Sequence, residues 1–185
     1  PTTFFFFFLK DWKFDYKIGI LSLLYDKLFK LNIFNNYTFF VQQHWIKDVF
    51  EKRFKISNVK VAIPQYVEEI TTEKYNFEAN KIHFFYPSFP RSFKNHEIIL
   101  EAIKVLPKNI VEKTQFHFTT IKDSKEKYAR FLVQEYSFLD NVNFYGKVKR
   151  KQLLSMYNAM DCLIFPSKVE TWGLPISEAK AYKKP

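Results

Sequence analysis

Two glutamates near the end of this 185-residue chain, Glu170 and Glu178, lie on either side of a Gly-Leu-Pro turn. The proline of this turn is preset for the first turn of a helix. The backbone amides around Gly173, Leu174 and Ile176 are therefore expected to be free at the positive helix end, which favours a phosphate. Glu178 could then accept hydrogen bonds from vicinal ribose hydroxyls, and Glu170 could reach a sugar beyond the phosphates. The spacing is equally compatible with a helix-start acid at Glu178 and a solvated loop residue at Glu170.

The elements that position these residues alternate regularly from Lys81 onward. Apolar runs predict strands at 81–86, 114–120, 142–146 and 161–165, and helical spacing predicts helices at 95–106, 124–136, 150–159 and 175–182. This alternation is typical of an α/β, Rossmann-like parallel sheet with helices on both faces. Ligands of such sheets bind beyond the carboxyl ends of the strands. The segments "PSFPRSFK", "YGKVKR" and "PSKVETWGLP" follow predicted strands, and two of the three glycines, Gly146 and Gly173, lie in them.

Residues 1–66 form a separate region in the sequence. Strands are predicted at 2–9, 37–42 and 59–63, and helices at 17–31 and 44–55, the latter with Trp45, Ile46, Val49, Phe50 and Phe54 on one side. In the helix at 95–106, the same spacing predicts burial of Ile98, Ile99, Ala102, Ile103 and Leu106. Residues 67–80 are polar and acid-rich without a period, which indicates a linker. The sequence thus predicts one domain at 1–66, a linker at 67–80 and a second domain at 81–185.

Composition restricts the partners only loosely. The net charge of +10 favours anionic partners, although a coding bias toward Lys and against Gly would produce it too. The lone Cys162 forms no intramolecular disulfide, and no metal-ligand spacing is present. No window has the roughly 18 apolar residues that span a bilayer. Basic charge with aromatics such as Tyr145 and Trp172 leaves a nucleic-acid-binding domain as an alternative, but no module of that kind is recognisable.

The segment from "VNFYGKVKR" to the final "SEAKAYKKP" resembles the nucleotide-sugar-binding half of GT-B glycosyltransferases, specifically the retaining glycosyltransferase family 4. Eight residues match the spaced motif of that family: Pro166, Ser167, Glu170, Gly173, Leu174, Pro175, Glu178 and Ala179. The resemblance implies that Glu178 holds the ribose hydroxyls of the donor. It also implies that Glu170, at the catalytic centre, and the amides of Gly173 and Leu174 face the donor sugar and its phosphates.

Further donor contacts follow from the same resemblance. Lys94 matches the lysine that clamps the donor diphosphate, whereas the arginine position of the family is Phe89 in this chain, and we assign its role to Arg91. A solvated loop charge is the alternative for both cations. Lys147 and Val148 match the loop that contacts the nucleobase through its backbone, and the surrounding basic run could otherwise be a helix-start surface.

The resemblance implies transfer of a sugar from a nucleotide-diphosphate sugar to a hydroxyl acceptor with retention, without a cofactor or a catalytic metal. The expected acceptor is a glycan or a lipid-linked glycan in surface polysaccharide or glycoconjugate synthesis. The expected location is cytoplasmic, with peripheral contact to the inner face of the membrane and no nucleic-acid partner. Residues 1–66 contain no glycine-rich acceptor loop. We therefore expect this chain to be a fragment, inactive alone, that spans the C-terminal part of an N-terminal, acceptor-side domain (1–66) and most of the donor-binding domain (81–185). A non-catalytic nucleotide-sugar-binding subunit remains an alternative.

Overall fold

The computed structural model describes residues 37–63, 69–120 and 125–185, together with Phe14, Tyr16, Ile20, Leu24, Lys27 and Phe29. The predicted strand at 2–9 lies outside the described residues, as does most of the predicted helix at 17–31. The chain divides into two compact units, Pro1–Val67 with Val169–Trp172 and Glu68–Lys168 with Gly173–Pro185. Among the helices of the described part, none combines the length and the apolar character needed to cross a bilayer.

The first unit contains a small parallel β–α–β arrangement. Strand β1 (Phe39–Val41) pairs with β2 (Val59–Val61), and helix α1 (His44–Phe54) connects them. Ile46, Phe50 and Phe54 of α1 are buried as predicted, since residues four apart lie on one helical face. Trp45 was expected on the same side and is 41% exposed, because it lies about 100° around the helix from Ile46. The Phe29 ring packs on this face, 4.2 Å from the Phe54 ring.

The second unit is built on a four-stranded parallel sheet, which confirms the predicted α/β fold class. Its strands are β3 (Ile82–Tyr86), β4 (Thr114–Phe118), β5 (Val142–Phe144) and β6 (Cys162–Leu163). They are arranged in the order β5-β4-β3-β6, and every pairing is parallel. The carboxyl ends of all four strands therefore lie at one edge of the sheet.

Helices cover both faces of this sheet, as predicted. They are α2 (His96–Lys104), α3 (Lys108–Val111), α4 (Lys127–Tyr136), α5 (Arg150–Ala159) and α6 (Leu174–Ala181). Neighbouring residues of β3 point to opposite faces. Phe85 packs in a cluster with Met156 of α5 and Ala179 of α6, whereas the Tyr86 ring lies 4.8 Å from the ring of His96 on α2. Helices α5 and α6 therefore cover one face, and α2 covers the other.

The buried face of α2 differs from the predicted one. Its buried residues are His96, Ile99, Leu100 and Ile103, whereas Ile98 is 57% exposed and Ala102 is also exposed. The prediction of Ile98 and Ala102 as core residues is wrong. Sequence periodicity did not identify His96 as a buried residue, because histidine is buried less often than the aliphatic residues from which a core face is predicted. The buried face of α2 therefore includes His96 and Leu100 and is shifted around the helix relative to the predicted face.

The described residues of the predicted linker run along α5. Asn158 Nδ2 donates hydrogen bonds to the carbonyls of Thr71 and Glu73 at 3.2 and 3.1 Å, and the Tyr75 amide donates to the Ser155 carbonyl at 3.0 Å. These bonds satisfy the backbone polar groups of a segment that has no regular secondary structure. Residues 69–80 are therefore attached to the second unit.

Beneath this segment lies a hydrogen-bonded histidine pair. His83 Nε2 contacts the Glu78 carbonyl at 2.8 Å, His83 Nδ1 contacts His117 Nε2 at 2.9 Å, and His117 Nδ1 contacts the Tyr145 hydroxyl at 3.0 Å. A carbonyl can only accept, so a neutral His83 carries its proton on Nε2 and accepts at Nδ1. His117 must then donate from Nε2, and the Tyr145 hydroxyl must donate to His117 Nδ1. Burial, followed by the nearby His83, lowers the pKa of His117 to about 3.

Candidate functional site

Two loops at the carboxyl edge of the sheet are hydrogen-bonded to each other. In the loops after β3 and after β6, the Lys168 amide donates to the Phe93 carbonyl at 2.9 Å, and Asn95 Nδ2 donates to the Pro166 carbonyl at 3.3 Å. In the sheet, β3 lies between β4, the next strand along the chain, and β6, the last strand. Open parallel sheets bind ligands where connections leave in opposite directions in this way. The candidate site is therefore at the β3–β6 edge.

Lys94 is fixed at this edge through its backbone and its ammonium group. It ends a short 3-10 helix, Ser92–Lys94, and its carbonyl accepts a 2.7 Å hydrogen bond from the Tyr86 hydroxyl. The Lys94 Nζ lies 5.7 Å from the centroid of the Phe93 ring and 5.9 Å from that of Phe165. Ring faces attract a cation at this distance. The ammonium is thus held between rings that belong to the two bonded loops.

His96 is hydrogen-bonded to the same loop, the one that follows β3. It is fully buried, and its Nε2 lies 2.8 Å from the Ser88 hydroxyl oxygen. No hydrogen-bond partner for its Nδ1 is found within the described ranges. Burial, and then the charge of Lys94, lowers the pKa of His96 to about 3. A neutral imidazole therefore lies beside the Lys94 ammonium. Of His96 and Lys94, only Lys94 carries a positive charge.

Arg91 is engaged in an ion pair at the surface. Its Nη1 lies 2.7 Å from Oε2 of Glu126, and the two side chains are 43% and 45% exposed. Phe89, at the arginine position of the resembled family, is 68% exposed. The guanidinium that was predicted to replace the family arginine is thus oriented toward the residue that precedes α4. Binding a diphosphate through Arg91 would require this exposed pair to open, which costs little.

The loop after β5 is bonded to the segment that follows β4. Gly146 has φ 80°, a conformation that glycine adopts without strain, and its amide donates to the Thr120 carbonyl at 2.8 Å. Lys147 is exposed. Val148 packs against the core cluster that contains Phe85, which anchors the loop backbone.

Helix α6 begins at Leu174, one residue before the predicted start at Pro175, and Gly173 is its N-cap. Gly173 has φ 78°, and its carbonyl accepts hydrogen bonds from the amides of Ile176 at 2.9 Å and Ser177 at 3.3 Å. The prediction of a free Ile176 amide is wrong, because the left-handed conformation of Gly173 turns its carbonyl into the first helical turn. Leu174 is 48% exposed at the helix start.

Glu178 is buried and ion-paired. It is the fifth residue of α6, so it is not a first-turn acid, and its residue surface is only 6% exposed. Nη1 of Arg150, the first residue of α5, contacts Oε1 of Glu178. Nε of Arg150 also lies 3.3 Å from Oε2 of Glu69. The basic residue at the start of α5 is therefore a partner of a buried carboxylate.

Glu170 belongs to the four residues, Val169–Trp172, that group with the first unit. It is partly buried, and its Oε1 accepts a 3.0 Å hydrogen bond from the Thr171 amide. This local bond orients the carboxylate within its own loop.

Lys94 and Glu178 begin from the same edge of the sheet but belong to elements on opposite faces. Lys94 lies two residues before α2, which covers the Tyr86 face, and Glu178 lies on α6, which covers the Phe85 face. The bonded loops after β3 and β6 connect the two sides. Sequence reasoning missed the pairing role of Arg150 and the support that His96 gives to the Lys94 loop. The available signal was the position of Arg150 at the start of a helix. Its partner could not be read from the sequence, because it is 28 residues away.

The structure is thus an α/β protein in which a cation, a helix capped by glycine and a buried carboxylate surround a candidate ligand site at the switch point of the parallel sheet. The chain belongs to the family described as glycosyl transferases group 1, whose sequence model matches residues 67–185. A comparison with curated protein sequences finds no match.

Solved structures share the fold. TarM has 20% identity and a TM-score of 0.61 over 86% of this chain and 31% of its own. WaaG, a glycosyltransferase involved in lipopolysaccharide biosynthesis, has 17% identity and a TM-score of 0.60 over 80% of this chain and 43% of its own. A TarM variant from S. aureus, in complex with Fondaparinux, alpha-GlcNAc-glycerol and UDP, has 17% identity and a TM-score of 0.57 over 79% of this chain and 28% of its own. The chain thus spans less than half the length of each of these proteins, which are GT-B glycosyltransferases in fold.

Proposed function

We propose that the second unit of this chain binds the donor of a glycosyltransferase, a nucleotide-diphosphate sugar, and that the whole protein transfers the sugar to a hydroxyl acceptor with retention. Membership of glycosyl transferases group 1 supports sugar transfer. The observation that carries the proposal is the buried carboxylate of Glu178 on a helix that begins at a left-handed glycine. A buried carboxylate suits the vicinal hydroxyls of a ribose, because both hydroxyls can donate to it.

The diphosphate is the proposed partner of Lys94, Arg91 and the amides of Gly173 and Leu174. As the bond between sugar and diphosphate breaks, negative charge grows on the leaving phosphate, and a cation fixed by two rings stabilises it without reorganising. We assign neutralisation of the leaving group to these groups and infer that no metal is required.

Glu170 is proposed to face the donor sugar, and the backbone at Lys147 and Val148 to contact the nucleobase. UDP in the TarM complex supports a nucleoside diphosphate as the donor carrier. The lipopolysaccharide role of WaaG supports a glycan or lipid-linked acceptor in surface polysaccharide or glycoconjugate synthesis. Such an acceptor would place the enzyme in the cytoplasm, in peripheral contact with the inner face of the membrane.

Calorimetric titration of the 185-residue chain with UDP, GDP and ADP, in buffer containing EDTA, tests the donor site. We expect one of them to bind and Lys94→Ala to weaken that binding about tenfold, as loss of a charge-assisted contact does. The matched control is Lys108→Ala, whose side chain is 91% exposed in an i,i+4 pair with Glu112 and should leave binding unchanged.

A different pattern of binding would contradict the donor-site proposal. If none of the diphosphates binds, while a polynucleotide binds with steep salt dependence and is not displaced by nucleoside diphosphate, the donor-site proposal is wrong and the basic surface is a nucleic-acid site.

A further inference from the structure

Arg150 and Glu178 form an ion pair whose two members differ in environment. The Arg150 side chain is 43% exposed and the Glu178 side chain 8%. Burying a carboxylate costs free energy unless a charged or hydrogen-bonded partner compensates for the lost water. Within the described part of the chain, the Arg150 guanidinium is the ion-pair partner found for Glu178. The buried carboxylate therefore depends on a residue from a different helix.

The contact occupies one oxygen of the carboxylate. Arg150 Nη1 donates to Oε1 of Glu178, and no hydrogen-bond partner for Oε2 is found in the described ranges. This directional hydrogen bond restricts rotation of the carboxylate, because rotation would move Oε1 away from the donor. The guanidinium is planar, so its contact with Glu69 through Nε also fixes the direction of Nη1. Oε2 is thus left available in a defined orientation.

We propose that Arg150 is a positioning residue for Glu178: it holds Oε1 so that the carboxylate presents Oε2 to the ribose hydroxyls of the donor. This inference rests on the proposed role of Glu178 in the donor site. Arg150 itself does not contact the nucleotide. It acts as a specificity determinant, because the alignment of the carboxylate decides how strongly a ribose is preferred to a deoxyribose.

The second contact of Arg150 supports an orienting role. Its Nε lies 3.3 Å from Oε2 of Glu69, whose side chain is 64% exposed. An exposed pair of this kind contributes little to stability. It does, however, restrain a second edge of the same guanidinium, so the plane that faces Glu178 is held from both sides.

The test compares a nucleoside diphosphate with its 2′-deoxy analogue by calorimetry on the 185-residue chain, using whichever of UDP, GDP and ADP binds best. For the unmodified chain we expect tighter binding of the ribonucleotide. Arg150→Lys keeps the charge but loses the planar group, and we expect it to reduce the ribo-to-deoxy affinity ratio about tenfold with little change for the deoxy analogue. Glu178→Gln should reduce the ratio similarly.

The matched control is Lys151→Ala on the next residue of α5. Lys151 pairs with Glu73 at 2.8 Å, with side chains 72% and 58% exposed, and its loss should leave the ratio unchanged. Circular dichroism establishes that each variant is folded. If Arg150→Lys does not fold, the double variant Arg150→Gln with Glu178→Gln, which contains no buried charge at this site, takes its place. It should show no greater loss of the ratio than Glu178→Gln alone.

The outcomes separate the two proposals. Failure of the unmodified chain to bind any of the diphosphates contradicts the proposed function. Binding without a ribose preference contradicts the role of Glu178, and with it this inference. A ribose preference that Arg150→Lys leaves intact, or an equal loss of affinity for both nucleotides, overturns the positioning role of Arg150 while the donor site stands. A double variant with a clearly larger loss than Glu178→Gln does the same.

Discussion

The Tyr86 hydroxyl donates a 2.7 Å hydrogen bond to the Lys94 backbone carbonyl, and so joins the last residue of β3 to the cation of the candidate site. Tyr86 is 1% exposed, so its side chain is itself fixed by the core. The position of the Lys94 loop therefore depends on a buried residue eight positions earlier. This relationship leads to the first prediction.

Tyr86→Phe should lower the free energy of unfolding by about 1 kcal/mol, the net contribution of one hydrogen bond. It should also weaken nucleoside diphosphate binding severalfold, because the Lys94 loop loses an anchor. Urea denaturation and calorimetry measure the two effects. Tyr136→Phe is the control: the Tyr136 hydroxyl donates to Glu101 at 2.7 Å on α2, away from the loop. It should lose similar stability without any loss of binding, and an equal loss of binding in both variants would count against the anchor.

Gly173→Ala should destabilise the start of α6. At φ 78° a β-carbon meets the neighbouring backbone, at a cost of about 1–2 kcal/mol. Gly173→Asn should cost less, since asparagine tolerates the left-handed region. Thermal and urea unfolding measure the difference. Equal stability of the Ala and Asn variants would show that backbone conformation is not the cause.

Acid should destabilise the fold before the carboxylates titrate. Burial is the main cause that lowers the pKa of His96 and of His117 to about 3 in the folded chain, whereas an unfolded histidine has a pKa near 6.5. Between these values the unfolded state binds more protons, so stability falls as pH decreases below about 6.5. Two such groups give a slope of up to about 2.7 kcal/mol per pH unit.

Urea unfolding at pH 7.5, 6 and 5 measures this slope. His117→Gln, which removes one of the two titrating groups, should reduce the slope below pH 6 by about half. A free energy of unfolding that stays constant from pH 7.5 to pH 5 in the unmodified chain would contradict the burial of neutral histidines.

Phe77→Ala should show that the predicted linker residues contribute to the stability of the second unit. The Phe77 ring stacks on the rings of His83 and His117, with centroids 4.8 and 4.1 Å away. Its removal should cost about 2 kcal/mol in urea unfolding, less than for a fully buried phenylalanine. Phe138→Ala, at a side chain 64% exposed, should change stability by less than about 0.5 kcal/mol. Similar values for both variants would mean that the segment is only loosely attached.

The sequence by itself determined the order and type of the main elements in the second unit, but not the short helix α3 or the 3-10 helix at Ser92–Lys94. The predicted strand at 81–86 corresponds to Ile82–Tyr86 and the predicted helix at 150–159 to Arg150–Ala159. Strand and helix periods are read from neighbouring residues, so a local pattern suffices for them. Parallel order with helices on both faces follows from the alternation itself.

The tertiary structure alone decided the partners of polar side chains. The Glu178 carboxylate pairs with Arg150, and His83 bonds to His117, across 28 and 34 residues respectively. Ile98 is exposed although its spacing suited a core position. These outcomes depend on which surfaces meet after the chain has folded. The free energy of burying a charge or a ring nitrogen depends on surrounding atoms that come from distant parts of the sequence. A pattern of neighbouring residues therefore does not predict it.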